Sequence, residues 1–96
     1  MLRIRKLFWN DANENHLRAS HGVLQSEVDE IVYGVDGEDP DYIVNRDGDN
    51  YVIYGRTGAG RLLYIALEPR GGGLFRPFAA RDMTTKESNT FRKGKR

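Results

Sequence analysis

Residues 51–83 constrain this chain more than any other stretch, because they hold its densest apolar runs and five arginines, in β-rich segments separated by glycine-bearing turns. Residues 41–46 and 51–56 flank Asp47-Gly48-Asp49-Asn50, a short-range hairpin signal. Residues 57–60 supply a second turn before a strand over 61–68, and residues 69–73 a third before a strand over 74–80. The expected result is a meander of about four antiparallel strands. Leu62, Leu63, Ile65 and Leu67 place apolar side chains on both pleat faces, so the third strand of the meander is expected to be central and buried. Pro77 has no amide to donate, which assigns it to an edge, a bulge or a strand end.

Upstream, Arg3 to Trp9 favour a first strand that ends at Asn10-Asp11, a helix-capping pair. A helix over 12–21 follows, with Gly22 placed for a left-handed C-terminal cap. A second helix is expected over 25–33, where Val28, Ile31 and Val32 recur at the spacing of one apolar stripe. The acidic segment 34–41 reads as a loop. Thr84-Thr85-Lys86-Glu87 matches a capping box and opens a short helix through Phe91. With 96 residues there is room for one core, so residues 1–96 are expected to form a single α+β domain. Its N-terminal strand and two helices would pack on the antiparallel sheet, and a short helix would close the chain.

No apolar run approaches the roughly 18 residues that a membrane-spanning helix needs. The basic start MLRIRKLFW lacks the sustained apolar stretch and small-residue cleavage site of a secretory leader, so a cytoplasmic location is expected. The chain has no cysteine, which excludes disulfides and thiolate metal sites. Charge is divided unevenly. Residues 1–55 carry five Lys/Arg against eleven Asp/Glu, whereas residues 56–96 carry ten against three. A cationic half of this kind points to nucleic acid or to a charged protein partner. A solvated basic tail accounts for Arg92, Lys93, Lys95 and Arg96, but less well for arginines inside predicted strands.

Several motifs fail on chemical grounds. GRTGAGR, residues 55–61, has phosphate-loop glycine spacing but continues Arg-Leu and leads into a strand, so a hairpin turn is the better reading. Asp47 and Asp49 lack the later ligands of a calcium loop. His16 and His21 have no third ligand in sight, and each fits an ordinary helix position, His21 at a C-terminus where positive charge is favoured. No metal or other cofactor is expected. What remains is arginines interleaved with tyrosines: Tyr54, Arg56, Arg61, Tyr64, Arg76 and Arg81. Strand alternation puts Tyr54 and Arg56 on one face. Guanidinium forks bind phosphate and can stabilise a pentacovalent phosphate, while rings stack unpaired bases, so such a face suits RNA. Tyrosines at a sheet rim with arginines snorkelling over apolar surface describe the same cluster equally well.

The pattern Trp9, Asn13, His16-Leu17, His21-Gly22-Val23, Glu27-Val28, Glu30, Gly55-Arg56-Thr57, Gly60-Arg61, Arg76-Pro77, Ala80-Arg81-Asp82-Met83 and Glu87 resembles the BrnT-like toxins of the RelE/ParE superfamily. The chain departs from that pattern at Leu24, where a capping Ser or Thr is usual, and at Phe91, near which a tyrosine is common. The resemblance implies a metal-independent ribonuclease toxin that inhibits translation, with RNA as substrate and a cognate antitoxin as partner. That antitoxin would often be a ribbon-helix-helix protein, through which DNA would be reached only indirectly; no membrane partner is implied. On this footing His21, Arg56 and Arg81 are the candidate catalytic residues, and Arg61, Arg76, Tyr54 and Tyr64 the candidate RNA contacts. A non-catalytic module that docks an antitoxin, and a gyrase- or DNA-directed activity, stand as the competing expectations.

Overall fold

The computed structural model of the protein describes residues 4–35 and 40–94. The chain runs β1 (Lys6–Leu7), α1 (Asp11–His21), α2 (Gln25–Tyr33), β2 (Tyr42–Asp47), β3 (Asn50–Arg56), β4 (Leu62–Pro69), β5 (Leu74–Asp82) and α3 (Thr85–Gly94). The expected meander is β2 to β5, antiparallel at each pairing, with β4 between β3 and β5. This is the α+β arrangement read from the sequence, with one difference. The first strand joins the sheet, beside β5 and parallel to it, making five strands in the order β1-β5-β4-β3-β2. Two residues carry no alternation that could announce a pairing so distant in sequence. Arg3 at the head of the expected strand, residues 36–39 in the acidic loop, and Lys95 and Arg96 lie outside the described residues.

Pleat alternation divides the sheet into two faces. Ile53, Leu63, Ile65, Leu67, Phe75 and Ala80 point to the side of α1 and α2, where they join Leu17, Val23, Val28, Ile31 and Val32 in one buried cluster. Gly55 lets the helix layer come close, since a Cβ there would stand 2.5 Å from Ile31 Cγ2. Tyr54, Arg56, Tyr64 and Arg81 belong to the other face, and the pairings Tyr54↔Tyr64 and Tyr64↔Arg81 set three of them in a row across β3, β4 and β5. Val52 and Ala66 are also buried on that face but stand apart from the main cluster, as does Phe91 of α3.

Pro77 takes the bulge among its sequence-allowed positions: Ala66 pairs with Ala79 and Leu67 with Pro77, leaving Phe78 as the extra residue. Its carbonyl accepts a 3.0 Å hydrogen bond from Asn13 Nδ2, which also donates to the Phe8 carbonyl at 2.9 Å. Asn13 and Asn10 complete a reciprocal cap, each side chain accepting the other's backbone amide, so α1 starts one residue before the expected position. Tyr33 Oη accepts from the Leu7 amide at 2.7 Å and Trp9 Nε1 donates to Asp29 at 2.9 Å, tying the short β1 region to α2. Leu24 occupies the N-cap of α2 without a side-chain bond; Glu27 compensates by accepting from the Leu24 amide at 3.0 Å.

Asn13→Ala removes the cap and strands two carbonyls, an expected loss of about 2–3 kcal/mol in denaturant unfolding. Gly55→Ala is expected to cost about 1–3 kcal/mol through overpacking against Ile31.

Candidate nucleic-acid interface

Two arginines at the same end of the sheet are held in different ways. Arg61 immediately precedes β4 and turns toward the helices. Its Nε and Nη2 clasp Asp82 at 2.8 and 3.2 Å, Nη1 donates to Glu27 at 3.0 Å and to the Gly22 carbonyl at 3.1 Å, and Nη2 donates to the His21 carbonyl at 3.1 Å. All five of its N–H groups are thus engaged within the fold. Gly22 makes this possible by ending α1 in the left-handed conformation, φ 66°, which turns the last carbonyls of the helix toward the guanidinium. Hydrogen bonding to Asp82 is the first cause that holds Arg61 above its ordinary pKa and Asp82 below its own.

Arg81 is the residue before Asp82 and, by strand alternation, belongs to the opposite face. Its guanidinium carbon lies 3.9 Å from the centre of the Tyr64 ring, a cation–π contact, and Tyr54 meets Tyr64 edge-on at 5.7 Å. Glu87 binds Arg81 bidentately at 2.7 and 3.0 Å, and Arg81 Nη1 also donates to the Asp82 carbonyl at 3.1 Å. Two of the five Arg81 N–H groups therefore remain open among the described residues. Glu87 performs a second task, since it and Thr84 form the capping box of α3: Thr84 N donates to Glu87 Oε1 at 2.9 Å and Glu87 N to Thr84 Oγ1 at 3.1 Å. The hydrogen bond from Arg81 is the largest cause pulling the Glu87 carboxyl down to about 2. Burial, followed by the Glu87 charge, raises the Tyr54 phenol above its ordinary value.

Of the sequence-derived candidates, Tyr54, Tyr64 and Arg81 come together, and Arg56 shares their face two residues beyond Tyr54, roughly 7 Å along the strand. Arg56 is exposed, and its side chain has no hydrogen bond or ion pair among the described residues. His21 ends α1, exposed, and its charge is one of the causes lowering Asp82. Arg76 is not part of this grouping. It pairs with Glu68 at 2.9 Å and lies over Phe78, four residues down β4 from Tyr64, or roughly 13 Å. His16 is exposed on α1, and no cluster of three metal-ligating side chains occurs among the described residues. Nor is any helix among them long and apolar enough to cross a membrane. Sequence reasoning gives Glu87 as a capping residue and a member of the resemblance, but not as the carboxylate that holds Arg81. Glu27 and Asp82 as joint partners of Arg61 are likewise absent from it.

No protein-family model matches the chain, and no curated protein matches it significantly. Among solved structures, the chain is similar to the Brucella abortus ribonuclease toxin BrnT, solved by crystallography, with a TM-score of 0.61 over 83% of this chain and 97% of that one. The fold is BrnT-like. At 13% identity, the likeness concerns the arrangement of the backbone.

Because the folded-state pKa of Glu87 lies below the 4.5 of an ordinary glutamate, the stability it contributes is present above that pH and fades as pH falls toward about 2. Glu87→Gln is therefore expected to be less stable than the parent at pH 7, and the gap should close between pH 4.5 and 2 when unfolding is followed across that range. Arg61→Ala should cost about 1–2 kcal/mol by leaving the half-buried Glu27 unpaired and the His21 and Gly22 carbonyls without their donor, against less than about 0.5 kcal/mol for Arg56→Ala.

Proposed function

We propose that the protein is the toxin of a type II toxin–antitoxin module of the RelE/ParE superfamily, acting as a metal-independent ribonuclease that inhibits translation. The observation that carries this reading is the half-buried face on which Arg81 stacks on Tyr64 beside Tyr54, with the exposed, unpaired Arg56 on the same surface. The BrnT-like fold agrees with it, since the neighbour is described as a ribonuclease toxin.

The chemistry asks little covalent work of the protein. The RNA 2′-oxygen attacks the adjacent phosphorus and loses its proton to a base, the P–O5′ bond breaks, and the departing 5′-oxygen gains a proton, leaving a 2′,3′-cyclic phosphate. Arg56 and the open donors of Arg81 stabilise the added charge on phosphorus. Tyr54 and Tyr64 offer ring surface to flanking bases, and His21 serves as the proton-transfer group. Arg61, with every donor engaged, supports the site by positioning Asp82, and Arg76 would meet RNA backbone farther along the sheet. In the cell the partner is a cognate antitoxin, a ribbon-helix-helix protein that links the pair to DNA, and the setting is the cytoplasm.

A second reading has its own support. Glu87 neutralises Arg81 much as Glu27 and Asp82 neutralise Arg61, which is also what a module built only to dock a protein would show. Purified protein and single-stranded RNA in the presence of a chelator separate the two. The ribonuclease reading expects cleavage, growth arrest on induction in a bacterial host, and a fall of about a hundredfold or more in cleavage for Arg56→Ala with the melting temperature unchanged. Folded protein that leaves RNA intact and growth unaltered would overturn the ribonuclease reading, and arginine variants that weaken antitoxin affinity in a salt-dependent way would then support docking.

A further inference from the structure

Beside the Arg81–Tyr64 pair, a groove of about 380 Å³ opens between α3 and the outer face of β2 and β3. Ile43 and Asn45 of β2, Tyr54 of β3, and Lys86, Thr90 and Phe91 of α3 line it. Glu87, which also reaches the groove wall, is the carboxylate bound to Arg81, so the groove and the guanidinium share one side chain. We propose that this groove is a subsite for one unpaired nucleobase of single-stranded RNA, seated next to the phosphate that Arg81 faces; this rests on the ribonuclease reading above and specifies its substrate.

The lining has what a flat heterocycle requires. Tyr54 and Ile43, backed by the buried Phe91, provide apolar surface that favours a base over water. Asn45 is exposed on β2, and its carboxamide, which offers both donor and acceptor, has no hydrogen-bond partner among the described residues. It can therefore pair with a base edge that presents the complementary couple. Lys86, exposed on α3, adds positive charge for the attached backbone, while the negative charge of Glu87 is already met by Arg81. The volume is near the low end for small-ligand sites, and a stacked duplex presents its bases too deeply to enter. The selected partner is therefore a single strand with one base turned out. Both walls are needed: β2 brings Asn45 and α3 brings Phe91, and the close approach of Gly94 to Ile43, where an added Cβ would stand 3.2 Å from Ile43 Cδ1, marks how tightly the far end of α3 lies on β2.

The test uses the full chain and short single-stranded oligoribonucleotides carrying a 2′-deoxy nucleotide at the cleavage position, with a duplex of the same sequence as the contrast. Binding is followed by fluorescence anisotropy and by the side-chain amide resonance of Asn45. The single strand is expected to shift that resonance where the duplex does not. Asn45→Ala should weaken single-strand binding roughly tenfold and redistribute the cut positions on cleavable RNA. A parent resonance that stays unmoved, together with unchanged affinity and cut positions in Asn45→Ala, would overturn the subsite while cleavage by the parent left the ribonuclease reading standing. A parent that neither binds nor cleaves RNA would overturn both.

Discussion

The guanidinium of Arg61 is the contact on which the arrangement of helices and sheet depends. It reaches the last carbonyls of α1, the first turn of α2 and the end of β5 from a single position just before β4. A lysine could supply the charge, but its ammonium cannot reproduce a planar fork that addresses two carboxylates and two carbonyls together. The cost of drawing Arg61 and Glu27 partly out of water is offset because each is hydrogen-bonded as well as ion-paired. The left-handed turn at Gly22 and the absence of a side-chain cap at Leu24 are parts of the same junction, with Glu27 serving the cap and the arginine at once.

On the other face, Glu87 joins two structures that would otherwise be independent. It caps α3 through Thr84 and holds Arg81 over the Tyr64 ring. The position of α3 is therefore coupled to the orientation of the Arg81 guanidinium. Two successive residues, Arg81 and Asp82, serve opposite faces because a strand alternates, and this brings the helix-side junction and the exposed site within one peptide of each other.

Much of the fold was legible because its signals are local. The turns at Gly48 and Gly60, the helix stripe of Val28, Ile31 and Val32, the cap at Gly22 and the Thr84–Glu87 box all act within a few residues, and the structure contains each of them. Pro77 was narrowed to three kinds of position by its missing amide and occupies one of them. The site was legible as a composition of arginines and tyrosines, and the alternation that puts Tyr54 with Arg56 was visible too. Its division was not. Nothing in the local sequence separates Arg61, saturated by partners drawn from α1, α2 and β5, from Arg56, whose side chain has none among the described residues. Arg76 looked like a member of the group and stands at the far end of the sheet beside Glu68.

The sequence by itself determined the element order, the antiparallel meander and the location of positive charge in the second half of the chain, because hydrophobic period, turn chemistry and charge are properties of neighbouring residues. Tertiary structure alone decided that β1 lies parallel beside β5, that Asn13 reaches across to Pro77, and which arginines are committed to the fold. Those outcomes depend on contacts between segments far apart in the chain, and a hydrogen-bonding fork shows no preference for a partner until folding has placed the carboxylates around it.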